Sequence, residues 1–325
     1  MKKIKWGIIS TGTIAKKFAS TITKMSEGEL CAVASRSQES ADKFADEYGI
    51  AKRYASYEAL CADPNIDVIY VGTPHSHHYE NMMMCIKAKK HVLCEKAFTV
   101  NSAQTKEVFA AAKENNVFVM EAFWTKFLPS YNKMKEIINS GRIGKLRLID
   151  AKFGINTEGD RLARKLQADL AGGALLDVGC YLLGISFIFF GYNPKVITSK
   201  AVIGECGTDV FGSYYVEFED GVAQLSSAIG SICENGATLY CDKGKIVFTG
   251  VNSCNSFDLI MTNGDKEHFE FPHEFTGFEY QIREVCEALN SGKTESSIMT
   301  WENTLKTMQA MDSLRKSWGL TFPCE

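Results

Sequence analysis

The chain has 325 residues, 45% of them hydrophobic and 23% charged, with a formal net charge of −3. That length allows two domains with cores of their own, and interspersed charges give no drive toward nucleic acid or an anionic membrane. No apolar run reaches the roughly 18 residues of a spanning helix, Lys2-Lys3 leads straight into a strand pattern rather than a signal peptide, and eleven cysteines without a C-x-x-C pair read as reduced thiols of a cytoplasmic protein.

In chain order, Ile4–Ile9 is an apolar strand ending in a glycine-containing turn, and 13–25 has the spacing of a helix. Strand 29–34, helix 38–48, strand 67–72, helix 79–88, strand 91–94, helix 102–115 and strand 117–121 follow. Strands separated by helices imply parallel pairing through right-handed crossovers, the doubly wound Rossmann arrangement. Near residue 122 the rhythm changes. Helices are expected over 130–140 and 174–190, with strand 146–155 between them. From 195 to 271 seven strand-like runs are joined by turns such as Asp220-Gly221 and Asn263-Gly264. Two helices, 275–290 and 300–318, close the chain. The expected fold is α/β: a dinucleotide-binding domain over 1–121, then an α+β substrate-binding and dimerisation domain over 122–325 with a large, mostly antiparallel sheet.

The first strand–helix turn has a mechanical reading. Gly12 lacks a Cβ, so a pyrophosphate can come close to the backbone, and the helix that starts at Thr13 and Ile14 offers free N–H groups and a positive dipole end. In the G-x-G-x-x-G spacing the three positions are Ser10, Gly12 and Ala15, so only the central one is glycine. The second strand ends at Ser35-Arg36-Ser37. An acidic residue there would bind the adenosine ribose and repel a 2′-phosphate. Arg36 can instead pair with that phosphate, and both serines can donate to it. NADP(H) is therefore preferred and NAD(H) remains possible.

Glu95-Lys96 follows the strand 91–94, at the sheet end that faces ligands in doubly wound folds. Asp177 and Tyr181 are four apart in the helix expected from Ala174, and so share a face. A carboxylate and a phenol flanked by leucines form either a buried hydrogen-bonded pair or an acid/base pair. A phenol becomes a base near neutral pH only where a cation such as Lys96 stabilises the phenolate. The run His75-Ser76-His77-His78 looks like a metal cluster, but no Cys, Asp or Glu ligand pattern accompanies it and no metal is expected. His268 and His273 are expected to be exposed.

Six pieces carry a resemblance when taken together: 6–12 (Trp-Gly-Ile-Ile-Ser-Thr-Gly), 70–74 (Tyr-Val-Gly-Thr-Pro), 92–96 (Val-Leu-Cys-Glu-Lys), 120–125 (Met-Glu-Ala-Phe-Trp-Thr), 172–181 and the terminal 321–323 (Thr-Phe-Pro). The chain resembles the glucose–fructose oxidoreductase/inositol dehydrogenase (Gfo/Idh/MocA) family over its whole length, within it the dimeric dihydrodiol dehydrogenase and NADP-dependent D-xylose dehydrogenase branch. The resemblance implies Lys96, Asp177 and Tyr181 as catalytic groups. It implies Thr73, Pro74, His78 and Glu95 beside the cofactor, and Trp124 and Phe153 lining the nicotinamide and substrate pocket. It also implies a homodimer formed through the second domain's sheet, and hydride transfer to or from a sugar, polyol or vicinal diol. Two other activities occur on this fold: NAD-dependent glycoside hydrolysis, and non-catalytic regulation by dinucleotide binding. One departure stands out. Ala97 replaces the family's proline after the lysine, and since a non-proline cis bond costs about 3 kcal/mol, a trans bond is expected.

Overall fold

The structure is a computed structural model describing residues 2–325. It divides into two compact units, 1–122 with 274–305, and 123–273 with 306–325.

The first unit carries β1 (Ile4–Ile9), α1 (Thr13–Ile22), β2 (Gly28–Ala34), α2 (Gln38–Tyr48), β3 (Lys52–Tyr54), α3 (Tyr57–Cys61), β4 (Val68–Val71), α4 (His78–Lys87), β5 (His91–Glu95), α5 (Ser102–Asn115) and β6 (Val119–Ala122). The strands are all parallel, in the order β3-β2-β1-β4-β5-β6. This is the doubly wound order, with helices on both faces of the sheet. Strand β4 is accordingly buried at all four residues. Pairing of Ile9 with Ala34 and Val71, and of Val71 with Cys94, puts Ser10, Ser35, Gly72 and Glu95 in one row at the carboxyl edge. The short β3 and α3 were not expected, because three and five residues are too few to show a period.

A division at residue 121 leaves everything beyond it to the second domain. The structure returns 274–305 to the first unit, and side chains explain why. The Thr21 and Thr276 hydroxyls are 2.6 Å apart, Arg283 pairs with Glu27 at 2.8 Å, and the Trp301 indole donates to the Val119 carbonyl at 2.8 Å. The helix Glu279–Asn290 belongs to this return, and begins four residues later than its pattern suggested.

The second unit contains α6 (Pro129–Asn139), β7 (Leu146–Ile155), α7 (Gly159–Leu166), α8 (Cys180–Phe190) and seven further strands: β8 (Val196–Ile203), β9 (Asp209–Glu217), β10 (Val222–Ile229), β11 (Asn235–Cys241), β12 (Gly244–Thr249), β13 (Ser256–Met261) and β14 (Lys266–Glu270). They form one sheet in the order β14-β13-β12-β11-β7-β10-β9-β8, antiparallel except for β7 beside β10. Side chains alternate along β7 and β9: Ile149, Ala151, Phe153, Tyr214 and Val216 face the core, while Lys152, Ser213 and Tyr215 face outward. Helix α8 packs against β7 and β10 on the inner face.

Two expectations change here. The run Ala168–Phe190 is long and apolar enough, by length and composition, to cross a membrane, yet 83% of its apolar window is buried inside the unit. A helix apolar on every side is what the core of a two-layer domain requires. The helix expected from Ala174 also opens differently. Leu175–Gly179 is a π-turn, and regular α-helix begins at Cys180. Asp209 Oδ2 accepts the Leu175 N–H at 2.6 Å, and Gly179 sits close enough to Tyr214 Oη that a Cβ there would approach it at 3.0 Å. A widened turn of this kind recurs at functional sites.

Candidate active site

In the first unit, β1 is followed by Ser10, whose φ of 111° lies in the left-handed region that favours glycine. Its hydroxyl accepts the Gly12 N–H at 3.2 Å, a local bond that supports this backbone shape. Gly12 has an ordinary φ of −75°, and a Cβ added there would meet nothing nearer than Ser10 Oγ at 3.5 Å. Protein packing therefore does not demand a glycine. The room it leaves lies directly before the N–H groups of Thr13 and Ile14, and no side chain caps α1.

At the end of β2, Ser35 is buried and Arg36 exposed; among the described residues Arg36 pairs with no carboxylate. The Ser37 hydroxyl is the N-cap of α2, accepting the Ser40 N–H at 3.3 Å and donating to Ser40 Oγ at 2.9 Å. Its proton is thus already engaged, which weakens the expectation that Ser37 donates to a phosphate. Pro74 opens the short helical turn His75–His77. Thr73 accepts the Asn81 amide at 3.1 Å. His78 is fully buried, with Nε2 2.8 Å from the Thr73 carbonyl and Nδ1 2.9 Å from the Ala97 carbonyl. Burial lowers its pKa to about 3, so the ring is neutral and its one N–H donates to one of these two carbonyls.

Glu95 ends β5, buried, accepting the Tyr70 hydroxyl at 2.6 Å; burial raises its pKa, with Tyr70, Lys96 and Lys17 opposing. Its carboxylate is therefore held inside the fold. Lys17 of α1, which no motif marks in the sequence, stands 4.3 Å from the Phe278 ring centroid. Burial brings its pKa down to about 8 against the pull of Glu95 and Glu279. Lys96 is half-buried, and its peptide bond to Ala97 is cis, not trans. The expectation weighed only the local cost. Ala97 is fully buried and its carbonyl is met by His78, a tertiary contact that the dipeptide does not reveal.

In the second unit, Tyr181 is the second residue of α8 and is 5% exposed. The Trp124 indole N–H donates to its hydroxyl at 3.0 Å. The rings of Phe123 and Phe153 flank it, with centroids 5.4 and 5.8 Å away. The other edge of Trp124 meets His273, which is half-buried rather than exposed because Ser253 and Trp124 cover it; His268 is exposed, as expected. Asp177 forms an ion pair with Lys165 of α7. Neither Lys165 nor α7 was expected. That helix has only eight residues and one buried side chain, Leu166, so it shows no apolar period. Tyr181, Trp124, Phe153 and Asp177 thus all fall in the second unit, where the structure brings the first three into direct contact. A buried phenol that accepts an indole N–H among aromatic rings is a group whose proton can be controlled.

The sequence matches the Gfo/Idh/MocA oxidoreductase family, NAD-binding Rossmann fold, over residues 4–123 and that family's C-terminal domain over residues 131–247. It is 35% identical to trans-1,2-dihydrobenzene-1,2-diol dehydrogenase of Xenopus tropicalis over 98% of this chain and 99% of the relative, and 33% identical to the Mus musculus protein of the same name over 98% of both. Among solved structures, a 3-ketoreductase from Actinomadura kijaniata crystallised with NADP and TDP-benzene superposes with a TM-score of 0.87 at 25% identity, covering 97% of this chain and 98% of that one. An aldose–aldose oxidoreductase from Caulobacter crescentus, at 21% identity, gives 0.88 over 97% of both and shares the fold. The doubly wound first unit, the large sheet of the second and these matches agree: the chain belongs to the Gfo/Idh/MocA family of oxidoreductases.

Proposed function

We propose that this enzyme moves a hydride between NADP(H) and a hydroxyl or carbonyl carbon of a sugar, polyol or vicinal diol, with Tyr181 as the acid/base and Lys96 as its electrostatic aid. The observation that carries the reading is the Tyr181 hydroxyl, buried among Trp124, Phe123 and Phe153 with an indole N–H bound to it. In the oxidative direction the Tyr181 phenolate, which the Trp124 N–H stabilises, takes the proton of the substrate hydroxyl and becomes the neutral phenol. Phe153 and Trp124 exclude water and offer apolar faces to a ring or diol. Asp177, fixed by Lys165, accepts hydrogen bonds from neighbouring substrate hydroxyls. Ser10, Gly12, Thr13, Ile14, Thr73 and Pro74 would hold the dinucleotide. Its nicotinamide, when bound, supplies the hydride acceptor or donor. Arg36 and the absence of an acid at the end of β2 support NADP(H), and the relatives' names support a diol or sugar.

Reduction of NADP+ and NAD+ at 340 nm, with trans-1,2-dihydrobenzene-1,2-diol and a panel of aldoses, tests this. Tyr181→Phe should lower turnover about 10²–10⁴-fold while NADP(H) affinity, read by fluorescence titration, stays within about twofold. Turnover equal to the parent's would overturn the assignment.

The reading includes a homodimer through the outer face of the second unit's sheet. Its support is apolar surface: Val202 and Phe211 are cross-strand partners and both exposed, and Tyr215 opposite Thr198 lies beside an open hollow of about 680 Å³. Light scattering checks it; Val202→Lys with Phe211→Lys should give monomers.

A further inference from the structure

Two adjacent residues of the second unit, Thr208 and Asp209, are 0% and 1% exposed. A carboxylate that deep is costly unless its oxygens are bonded. Asp209 Oδ2 accepts the Leu175 N–H at 2.6 Å, and its carboxylate also takes a bond from the Ala174 backbone. These are donors at the start of the helical run that carries Asp177 and Tyr181. Thr208 Oγ1 donates at 2.8 Å to the carbonyl of Leu166, the last residue of α7, next to Lys165. The intervening loop is closed on itself: the Gly173 N–H donates to the Lys165 carbonyl at 2.9 Å, and the Gly172 N–H to the Gln167 carbonyl at 3.0 Å. Both glycines are required by close approach. A Cβ on Gly172 would strike the Lys165 carbonyl, and one on Gly173, at φ 119°, would strike the Asp209 carboxylate.

The start of β9 therefore grips both sides of the Lys165–Asp177 pair. One grip is on the carbonyl beside Lys165. The other is on the helix start two residues before Asp177 and six before Tyr181. An ordinary cap secures one helix end; these two residues secure a helix end and a separate helix to the same strand.

We propose that Thr208 and Asp209 are the positioning residues of the reaction, setting the Lys165–Asp177 pair and the Tyr181 hydroxyl in register with each other. The proposal rests on the reading of Tyr181 as the proton-transfer group. A displacement of about 1 Å at such a group costs on the order of 100-fold in rate.

The test uses the full chain with NADP+ and trans-1,2-dihydrobenzene-1,2-diol, and a second readout free of catalysis: the Trp124 indole N–H resonance, identified by its loss in Trp124→Phe, which senses Tyr181 directly. Asp209→Ala should lower kcat about 10–100-fold with KM for NADP+ within about twofold, and should move the Trp124 resonance. Asp209→Asn keeps an acceptor oxygen and should restore most of kcat. Thr208→Val should raise KM for the diol several-fold with a smaller fall in kcat. A folded Asp209→Ala protein with parental kcat and an unmoved Trp124 resonance overturns the proposal. If that variant does not fold, Thr208→Val with parental constants and an unmoved resonance does so. If Tyr181→Phe keeps its turnover, the reaction reading fails by itself, and the Trp124 resonance alone then judges whether Thr208 and Asp209 hold the helix.

Discussion

The molecule starts two of its helices in opposite ways. Helix α1 of the first unit begins at Gly12, with room before it and no side chain capping its N–H groups. The helical run from Ala174 in the second unit begins against a buried carboxylate, with Asp209 on the Leu175 N–H and Gly173 pressed onto it. The same unsatisfied donors are left open to a ligand in one case and bound by the protein in the other. The difference teaches how to read a glycine at a helix start: space around it marks a place for something to bind, whereas a collision marks a place where the backbone must lie.

That contrast can be broken most severely at Asp209. Burial pushes its pKa up to about 7 from an ordinary carboxylate value near 3.8. The folded state therefore favours the protonated form more than the unfolded chain does. Its contribution to stability is fully present below about pH 4 and declines as pH rises to about 7, by at most about 4 kcal/mol. Asp209→Asn does not titrate. Urea unfolding across pH 4.5–8.5 should show the variant gaining on the parent between those limits and no further above them. A constant difference would mean that Asp209 does not titrate in that range.

Next comes one substitution made at both helix starts. Gly173→Ala introduces a colliding Cβ at a positive φ and should destabilise the protein by about 2–4 kcal/mol. Gly12→Ala should leave the melting temperature within about 2 °C, since the cost of alanine at such a position is a fraction of a kcal/mol. It should weaken NADP(H) binding about 10–100-fold, because a methyl group takes the space of the ligand. Equal stability losses at the two positions would erase the distinction.

Smaller effects sharpen it. Arg36→Asp should weaken NADP(H) binding about 10–100-fold and improve NAD(H), as expected when a charged hydrogen bond to phosphate is exchanged for repulsion. Calorimetric titration of both cofactors measures this. Trp124→Phe removes the indole N–H donated to the Tyr181 hydroxyl. It should reduce kcat about 5–10-fold, the scale of one hydrogen bond, with binding of the cofactor unchanged.

Much of this site was legible in one dimension because its parts are local. A strand, a turn with Gly12 and a helix can be read from nine residues, and the missing acid at the end of β2 from four. The parallel sheet order follows from strands alternating with helices, and the hairpins of the second unit from period-two runs with Asn-Gly and Asp-Gly turns. Tyr181 and Asp177 were found through a motif, and the aromatic wall through another. What escaped is what depends on partners distant in the chain. Lys165 lies on a helix too short to show a pattern. Asp209 is an ordinary acid at the head of a strand until the fold puts it 2.6 Å from the Leu175 N–H. His273 looked exposed because nothing near it in sequence covers it.

By itself, then, the sequence determined the class of the longer elements and the doubly wound pattern of the first sheet, since hydrophobic period and turn chemistry act over a few residues, and through a motif it offered Tyr181 as the phenol to test. Only tertiary structure decided that 274–305 returns to the first unit, that the Lys96–Ala97 bond is cis, that the apolar run 168–190 is a core helix, and that Thr208 and Asp209 grip the segment carrying Asp177 and Tyr181. Each of those outcomes is set by burial and by contacts between residues far apart in the chain, where no local preference reaches.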